Sequence, residues 1–172
     1  NQYSLSVFDG SGVLEWSLQS SPGVDLAVAQ MDGDAALEIV SRGGQIVDGI
    51  SHQIEWTLPP VLGAGLSAAD VDGDGMAEVV AVDLAPDLFV FDVDTRSLRW
   101  SKNLHAFDVV AAADLDGDAR AEILIGERGN GFVIGYDGLV GTEVFRVANP
   151  GLGVTGILAA DLDRDGESEL IW

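Results

Sequence analysis

The sequence predicts an all-β fold built from repeated four-stranded antiparallel units, and three observations carry this prediction. Short apolar or alternating segments are separated by turn residues along the whole chain of 172 residues, and no segment has the periodicity of a helix. An acidic loop recurs four times, starting at positions 30, 70, 114 and 161. The resulting spacings, about 40 to 47 residues, are typical of blades of a β-propeller, each of which contains four strands.

The start of the chain predicts a β-hairpin. Residues 3–8 and 13–18 alternate apolar and polar side chains around a Ser-Gly turn, which is the pattern of two half-buried strands. A proline and a glycine end the hairpin, and a first full unit follows, up to a pair of prolines that cannot donate to a strand ladder. Its strands are predicted at 24–30, 37–42, 45–50 and 53–58.

The same order of elements then repeats. Turn residues at 85–87 and 94–97 separate the later strands of the second unit. The predicted strands are 66–70, 78–83, 88–93 and 98–103 in the second unit, 107–114, 122–127, 132–136 and 142–147 in the third, and 154–161 and 169–172 at the end.

We name the four strands of a unit A to D in chain order, so that the acidic loop always joins A to B. The A strands are rich in small residues, chiefly alanine, as expected for crowded strands nearest the axis of a propeller. Each D strand carries a large aromatic side chain, which we expect to pack between neighbouring blades. These aromatic residues are Trp16, Trp56, Trp100 and Phe145.

The strands add up to four blades in one propeller domain or propeller segment. Residues 1–19 supply strands C and D of a split blade, residues 154–172 supply strands A and B of a split blade, and full blades occupy 24–58, 65–103 and 107–148. The terminal strands would expose unpaired edges, which folded β-proteins pair or cover. They could join in a four-bladed ring, but we favour a segment of a larger propeller or assembly.

The second acidic loop has the oxygen pattern of a calcium site. Asp70, Asp72 and Asp74 place carboxylates at loop positions 1, 3 and 5, Met76 a backbone carbonyl at 7, and Glu78 a carboxylate at 9. Ca²⁺ takes 6–8 hard oxygen ligands in flexible geometry. An EF-hand is excluded, because position 12 of the four loops lacks a glutamate and no helices flank them.

The other three loops repeat this pattern with substitutions. The fourth loop keeps all its carboxylates but has arginine in place of the first glycine; the third has alanine in place of the second; the first has that alanine and a neutral amide at position 1. We therefore expect calcium affinity to fall in the order second, fourth, third, first. Their ligand positions are Asp161, Asp163, Asp165, Glu167 and Glu169; Asp114, Asp116, Asp118, Arg120 and Glu122; and Gln30, Asp32, Asp34, Ala36 and Glu38.

Composition restricts the partners. The net charge of −21, from 29 acidic and 8 basic residues, disfavours nucleic acid and anionic lipid. The sequence contains no run of 18 apolar residues, so insertion into a membrane is not expected. It also contains no cysteine, which excludes disulfides, zinc thiolates and a cysteine nucleophile.

The repeated loop followed by an apolar strand, as in residues 70–80, resembles the FG-GAP or VCBS-type repeat of integrin alpha-subunit propellers and bacterial extracellular proteins. The Phe-Gly and Gly-Ala-Pro signatures of the integrin repeat are absent, so bacterial extracellular members are more similar. The resemblance implies up to four Ca²⁺ ions held by the loop positions named above, and a secreted or cell-surface location.

No catalytic constellation is evident. His52 and His105 lie far apart in the sequence without an acidic partner pattern, and the repeated carboxylate pairs are assigned to metal. We therefore expect a calcium-binding adhesion, recognition or assembly module that is not an enzyme. Its partner would be a glycan, a protein, or another copy joined through the terminal strands. The alternatives are a lyase-like propeller domain of a polysaccharide-acting enzyme and a purely structural scaffold.

A ligand face is expected at the end of the blades opposite the acidic loops, where the B–C and D–A connections emerge. Loops on a rigid scaffold are the usual place for binding residues. The candidates on this face are Arg42, Lys102, His105, Phe107, Arg128, Asn130 and Asn149.

Overall fold

A computed structural model describes residues 4–19, 23, 25–59, 63–104, 107, 109–127, 129, 131–149, 153–165 and 167–172. These residues form sixteen β-strands, and none of them lies in a helix long and apolar enough to cross a membrane. The strands are β1 (Ser4–Phe8), β2 (Leu14–Gln19), β3 (Leu26–Ala29), β4 (Glu38–Ser41), β5 (Gln45–Val47), β6 (Ile54–Thr57), β7 (Gly65–Ala69), β8 (Glu78–Val82), β9 (Asp87–Asp92), β10 (Ser97–Asn103), β11 (Val109–Ala113), β12 (Glu122–Gly126), β13 (Phe132–Tyr136), β14 (Glu143–Ala148), β15 (Leu158–Ala160) and β16 (Glu169–Ile171).

The strands form antiparallel sheets whose order in space follows their order in the chain. Three four-stranded sheets, β3–β6, β7–β10 and β11–β14, are the full blades, and within the described residues β1–β2 and β15–β16 are separate two-stranded sheets. This arrangement confirms the predicted all-β fold of four-stranded antiparallel units. We call β3–β6 the first blade, β7–β10 the second and β11–β14 the third.

Each predicted strand has a counterpart, but several are shorter than expected. Strand β5 ends at Val47 because Asp48 already belongs to a turn, where its carboxylate accepts a hydrogen bond from the Ser51 backbone N–H. Strand β15 covers only Leu158–Ala160. Before it, Val154 and Ile157 bury their side chains beside the third blade instead of extending the strand pair.

The core lies between neighbouring blades. Apolar side chains of the B and C strands meet those of the next blade, as Val40 and Ile46 of the first blade meet Val79 and Phe91 of the second. Each central B strand is therefore buried on both faces, which explains the uninterrupted apolar sequence of β8. Similar clusters join the second blade to the third and the third blade to the β15–β16 pair.

The D-strand aromatic residues pack between blades, as expected. The Nε1–H of Trp100 donates a hydrogen bond of 2.8 Å to the carbonyl oxygen of Gly138, in the C–D turn of the third blade. Trp16 stacks on His52 in the C–D turn of the first blade, with ring centroids 4.4 Å apart. These aromatic side chains therefore pack each blade against the next blade in the chain.

Each C–D strand pair also contains a β-bulge at the same place. The register skips the residue directly before the aromatic side chain, so that this residue has no partner across the ladder. Bulges redirect a side chain out of the regular alternation of a strand. The four bulge residues are Glu15, Glu55, Arg99 and Val144.

Candidate metal sites

The second acidic loop is folded around the carboxylate of Asp70. Its Oδ1 accepts a hydrogen bond of 2.7 Å from the Gly73 backbone N–H, and its Oδ2 accepts one of 2.8 Å from the Gly75 N–H. Both glycines have positive φ, 82° and 90°, a region that glycine occupies without strain. The loop therefore closes so tightly that its carboxylates converge on one small volume.

The third and fourth loops repeat this geometry without all the glycines. Asp114 accepts hydrogen bonds from the Gly117 and Ala119 backbone N–H groups, and Asp161 accepts one from the Arg164 N–H. Ala119 and Arg164 have positive φ, 68° and 65°, which costs free energy in a residue with a Cβ atom. The loop conformation thus persists where its glycines are replaced.

The glutamate at position 9 has the same role in all four loops. One of its oxygens accepts a hydrogen bond from the backbone N–H at position 2, at 2.6 Å from Met31 to Glu38 and 2.9 Å from Val71 to Glu78. Glu38 and Glu78 are buried. Each glutamate thereby holds the loop against the start of strand B and places its carboxyl group beneath it.

Burial disfavours the charged form of these glutamates. It raises the pKa of Glu78 to about 7, and the nearby charges of Asp72 and Asp74 also raise it, against the effect of a hydrogen bond from Val71 and the charge of Arg99. Burial likewise raises the pKa of Glu38 and Glu122. A cation in the loop would offset this cost, because an opposite charge favours the ionised carboxyl.

The loop carboxylates form four clusters that could hold a metal ion, counted over the described residues. Within each cluster, oxygen atoms from all the members lie within 4.8 Å of one another. Positions 1, 3 and 9 meet in the second, third and fourth loops, whereas the position 5 aspartates are outside these groups. The clusters are Asp70, Asp72 and Glu78; Asp114, Asp116 and Glu122; Asp161, Asp163 and Glu169; and Asp32, Asp34, Glu38 and Asp48.

The first loop closes differently because Gln30 replaces the aspartate at position 1. Its Oε1 accepts hydrogen bonds from the Asp32 and Gly33 backbone N–H groups, as Asp70 Oδ1 does in the second loop. Its Nε2, however, donates to the carbonyl oxygens of Asp34 and Ala36, each at 2.7 Å. The amide therefore occupies the position 7 carbonyl that was expected to bind calcium.

A second repeated aspartate, which the sequence analysis missed, ends each C strand. Its Oδ1 accepts a hydrogen bond from a backbone N–H within the C–D turn, for example from Ser51 to Asp48 and from Thr95 to Asp92. A detectable signal exists, since each such aspartate precedes the D-strand aromatic residue by an almost constant number of residues. In the first blade, Asp48 joins the loop carboxylates. The four residues are Asp9, Asp48, Asp92 and Asp137.

Successive acidic loops are hydrogen-bonded to one another. The Ala77 N–H at position 8 of the second loop donates to the Gln30 carbonyl oxygen in the first, and the Ala121 N–H of the third donates to the Asp70 carbonyl oxygen, both at 2.7 Å. The Ser168 N–H of the fourth loop donates to the Leu115 carbonyl oxygen of the third. The loops therefore lie side by side at one end of the blades.

A guanidinium group from outside the second loop lies among its carboxylates, and the sequence analysis did not identify it. The Nη2 atom of Arg99, the bulge residue of β10, lies 2.6 Å from Asp72 Oδ2, 2.9 Å from Asp92 Oδ2 and 3.8 Å from Glu78 Oε1. The Arg99 side chain is about four-fifths buried. A positive charge therefore already lies among the carboxylates of this loop.

The predicted ligand face is described only in part. Arg42 lies 3.9 Å from Asp25, and the Asn149 side chain donates to the Gly153 carbonyl oxygen at 3.1 Å. Lys102 donates to the Gly141 carbonyl oxygen at 3.1 Å and lies over the Tyr136 ring. Phe107 packs against the core between the second and third blades. The predicted residues His105, Arg128 and Asn130 lie outside the described residues.

A polar cavity of about 170 Å³ lies between the second and third blades. It is lined by Lys102, Tyr136 and Arg146 together with Glu127, which is 6% exposed. Glu127 Oε2 accepts no hydrogen bond within the described part of the chain, and Arg146 Nη1 lies 3.8 Å away. The cavity therefore offers a buried acceptor beside Lys102 and beside Arg146, which is already paired at 2.8 Å with Glu143, another lining residue.

Comparison with known proteins shows the fold alone. Neither the protein-family models nor the curated proteins contain a match to this sequence. Among solved structures, the chain is similar to the V. cholerae biofilm matrix protein Bap1, with 20% identity and a TM-score of 0.62 over 86% of this chain and 25% of that one.

Two further solved structures are similar to nearly the whole chain. BBS1N, in a complex with ARL6DN, has 15% identity and a TM-score of 0.71 over 97% of this chain and 49% of that one. Sqt1 of Saccharomyces cerevisiae has 12% identity and a TM-score of 0.62 over 98% of this chain and 49% of that one. The chain thus spans between a quarter and about half of the length of these structures.

Proposed function

We propose that this chain is a calcium-binding extracellular β-propeller unit of the FG-GAP or VCBS type, which serves in recognition, adhesion or assembly. One observation carries the proposal: the same carboxylate cluster recurs in successive blades, on loops that are hydrogen-bonded side by side. A repeated cluster at a fixed place in a repeated fold indicates a shared ligand, whereas isolated acidic turns would be scattered over the surface.

The donor set fits Ca²⁺ better than other common ions. The ligands are carboxylate and carbonyl oxygens, which suit hard cations, and the sequence has no cysteine for softer metals. One buried oxygen independently indicates a missing partner, because Oε1 of Glu38 has no hydrogen bond within the described residues. In the second, third and fourth loops, the ions would be held first by positions 1, 3 and 9, where the carboxylates converge, and would neutralise these carboxylates.

An extracellular location is supported by the likeness to a biofilm matrix protein and agrees with the proposed calcium sites. Calcium modules outside the cell work at the weak end of the affinity range, about 10⁻⁴ to 10⁻³ M. Loops with only three converging carboxylates and exposed outer aspartates are consistent with such affinities. This chain covers only a quarter of that biofilm matrix protein, so we do not infer the partners of this chain from that protein.

We place the partner away from the acidic loops, at the end that carries Arg42 and Lys102. A negatively charged loop surface repels acidic polymers, whereas the cavity beside Lys102 combines cations with the buried acceptor of Glu127. Hydroxyl groups of a glycan or polar side chains of a protein could donate to this carboxylate. Pairing of the exposed terminal strands with another copy would provide assembly.

We also propose that the chain is not itself an enzyme. His52, which the sequence did not favour as a catalytic base, is stacked on Trp16, and we assign the loop carboxylates to metal. Incubation with neutral and anionic polysaccharides, followed by assays for both unsaturated products and retention, tests this point. Retention without new products is expected, and release of unsaturated oligosaccharides would instead identify a lyase.

The calcium proposal is tested by isothermal titration calorimetry on the wild-type chain. We expect calcium binding that is weakened by Asp116→Asn in the third loop. The matched control is Asp25→Asn, which removes the same charge outside the loops and should leave binding unchanged. If no calcium binds at extracellular concentrations, or if both variants lose binding equally, the proposal is wrong.

A further inference from the structure

The charge of each acidic loop depends on a residue outside the loop. In the three full blades, the residue at the bulge before the D-strand aromatic side chain lies near the A–B loop of its own blade. In the first three blades this residue is Glu55, Arg99 and Val144, respectively. The same backbone position therefore carries a negative, a positive or no charge.

In the second blade, the bulge residue supplies a cation. The Nη2 atom of Arg99 lies within 4 Å of three carboxylates, and two of them, Asp72 and Glu78, are positions 3 and 9 of the calcium loop. The third is Asp92, the aspartate at the end of strand C. These side chains are mostly buried, at 4% to 20% exposure, so the charges are only weakly screened by water.

In the third blade, the same place is a cavity. Its volume is about 200 Å³, and it is lined by the bulge residue Val144, by Phe145 and by the loop residues Leu115, Asp116 and Glu122. Asp116 and Glu122 are again positions 3 and 9. The valine therefore leaves open the space beside the two loop carboxylates that Arg99 fills in the second blade.

In the first blade, the bulge residue adds an acid. Burial raises the pKa of Glu55, and the negative charges of Asp32 and Asp48, two members of the first cluster, raise it further. The three blades therefore carry three different charges at one backbone position, and the second and third blades, whose loops close in the same way, are the matched pair.

We propose that Arg99 is an internal counter-cation of the second loop, where it replaces part of the role of calcium. The second loop then binds calcium weakly although its sequence is the most complete, and the third loop binds more tightly because Val144 does not compete. This inference rests on the proposed calcium function and reverses the order expected from the loop residues alone.

The physical basis is direct competition for the same oxygens. A guanidinium in contact with Asp72 neutralises it before an ion arrives, and a calcium ion at positions 3 and 9 would face a positive charge a few ångströms away. At an effective dielectric constant of about 20, such a repulsion exceeds the energy of a tenfold change in affinity. Calcium must therefore displace Arg99 toward Asp92, or bind with weaker affinity.

The test compares calcium titrations of matched variants. In the wild type, we expect Asp116→Asn to weaken or remove a calorimetrically detected site and Asp72→Asn to leave the tight sites unchanged. Arg99→Val, which copies the third blade, should strengthen calcium binding at the second loop by about tenfold or more. Adding Asp72→Asn to Arg99→Val should abolish that gain.

The reciprocal change places an arginine in the third blade. Val144→Arg should weaken calcium binding at the third loop by about tenfold or more.

Arg146→Val is the charge control for Arg99→Val, because it removes a cation from β14 that pairs with Glu143 at 2.8 Å, away from the second loop. It should leave the affinity of the second loop unchanged.

A metal-free measurement separates this inference from the calcium function. In EDTA, Arg99→Val should melt at a lower temperature than the wild type, since it leaves Asp72 and Glu78 without their cation, and calcium should restore the loss. Arg99→Gln, which keeps hydrogen-bond donors, serves if the valine variant does not fold. Neither the melting temperature in EDTA nor its recovery with calcium depends on a binding partner.

The outcomes are distinguishable. If the wild type binds no calcium but Arg99→Val acquires a site that Asp72→Asn removes, the inference holds while the general calcium proposal fails for the wild type. If Asp72→Asn removes a tight site from the wild type, or if Arg99→Val and Arg99→Gln leave both calcium affinity and metal-free melting unchanged, the inference is overturned.

Discussion

The side-chain amide of Gln30 donates a hydrogen bond of 2.7 Å to the carbonyl oxygen of Ala36. In the other loops, an aspartate occupies the position of Gln30 and cannot donate in this way. The Gln30 side chain therefore bridges the first loop by hydrogen bonds, and it occupies the carbonyl oxygen that a calcium ion would otherwise bind.

The first prediction follows from this contact. Gln30→Asp should free the Ala36 carbonyl, add a carboxylate to the cluster of Asp32, Asp34 and Glu38, and increase calcium affinity at the first loop. Without calcium, the same variant should be less stable than the wild type by about 1–3 kcal/mol, because repulsion replaces hydrogen bonds. Calorimetric titration and melting in EDTA measure the two effects, and Gln30→Asn serves as the uncharged control.

A second prediction concerns calcium and stability. A ligand that binds only the folded state stabilises it by about 2.7 kcal/mol when its concentration is about 100 times Kd. Calcium should therefore raise the melting temperature, and EDTA should lower it again. Magnesium at equal concentration is the control, because it prefers strict octahedral geometry and retains its water. If the melting temperature does not change when calcium is added, the proposed sites are contradicted.

A third prediction concerns pH. Because the pKa of Glu78 is raised from 4.5 to about 7 in the metal-free fold, its contribution to stability is fully present below pH 4.5 and is lost as pH rises through about 7. In EDTA, the chain should therefore melt lower at about pH 8 than at about pH 5.5.

Glu78→Gln provides the control for this pH dependence. It keeps an oxygen that can accept from Val71, but it does not ionise, so the pH dependence should become smaller. Calcium binds the ionised form of Glu78, so the calcium affinity should rise with pH. Added calcium should therefore oppose the fall of the melting temperature with rising pH. A variant with the same slope as the wild type would exclude Glu78 as the titrating group.

A fourth prediction concerns the contact between blades. Gly141 has φ of 72°, and a Cβ atom there would lie 3.0 Å from the Trp100 ring. Gly12 has a similar φ of 85° but an open surrounding. Gly141→Ala should therefore destabilise the fold more than Gly12→Ala, by about 1–3 kcal/mol in chemical denaturation. Equal losses would show that only backbone strain matters.

Periodicity predicted the blades because each strand repeats a short local pattern. The Glu78–Val82 strand, for example, is apolar after its first residue and follows directly from the acidic loop. The same local logic predicted that Trp100 packs between blades. The ends of β5 and β15 were less accurate, since they depend on the turn of Asp48 and on the burial of Val154, which are tertiary features.

The metal loops were only partly predictable for the same reason. The positions of Asp70, Asp72 and Glu78 follow from spacing along the chain, and the structure brings their carboxylates together. Arg99 lies 27 residues from Asp72, and its approach depends on a bulge in another strand pair. Contacts of this kind have no signature in the sequence of the loop.

The backbone hydrogen bonds between successive loops have a consequence for how the sites fill. An ion bound in the third loop fixes the Ala121 N–H, which donates to the Asp70 carbonyl oxygen of the second loop at 2.7 Å. Part of the entropy that the second loop must lose on becoming ordered is then already lost, so its ion binds more favourably than it would alone. The tighter site should therefore assist the weaker one beside it, and calcium would stiffen that end of the propeller from the third blade outward.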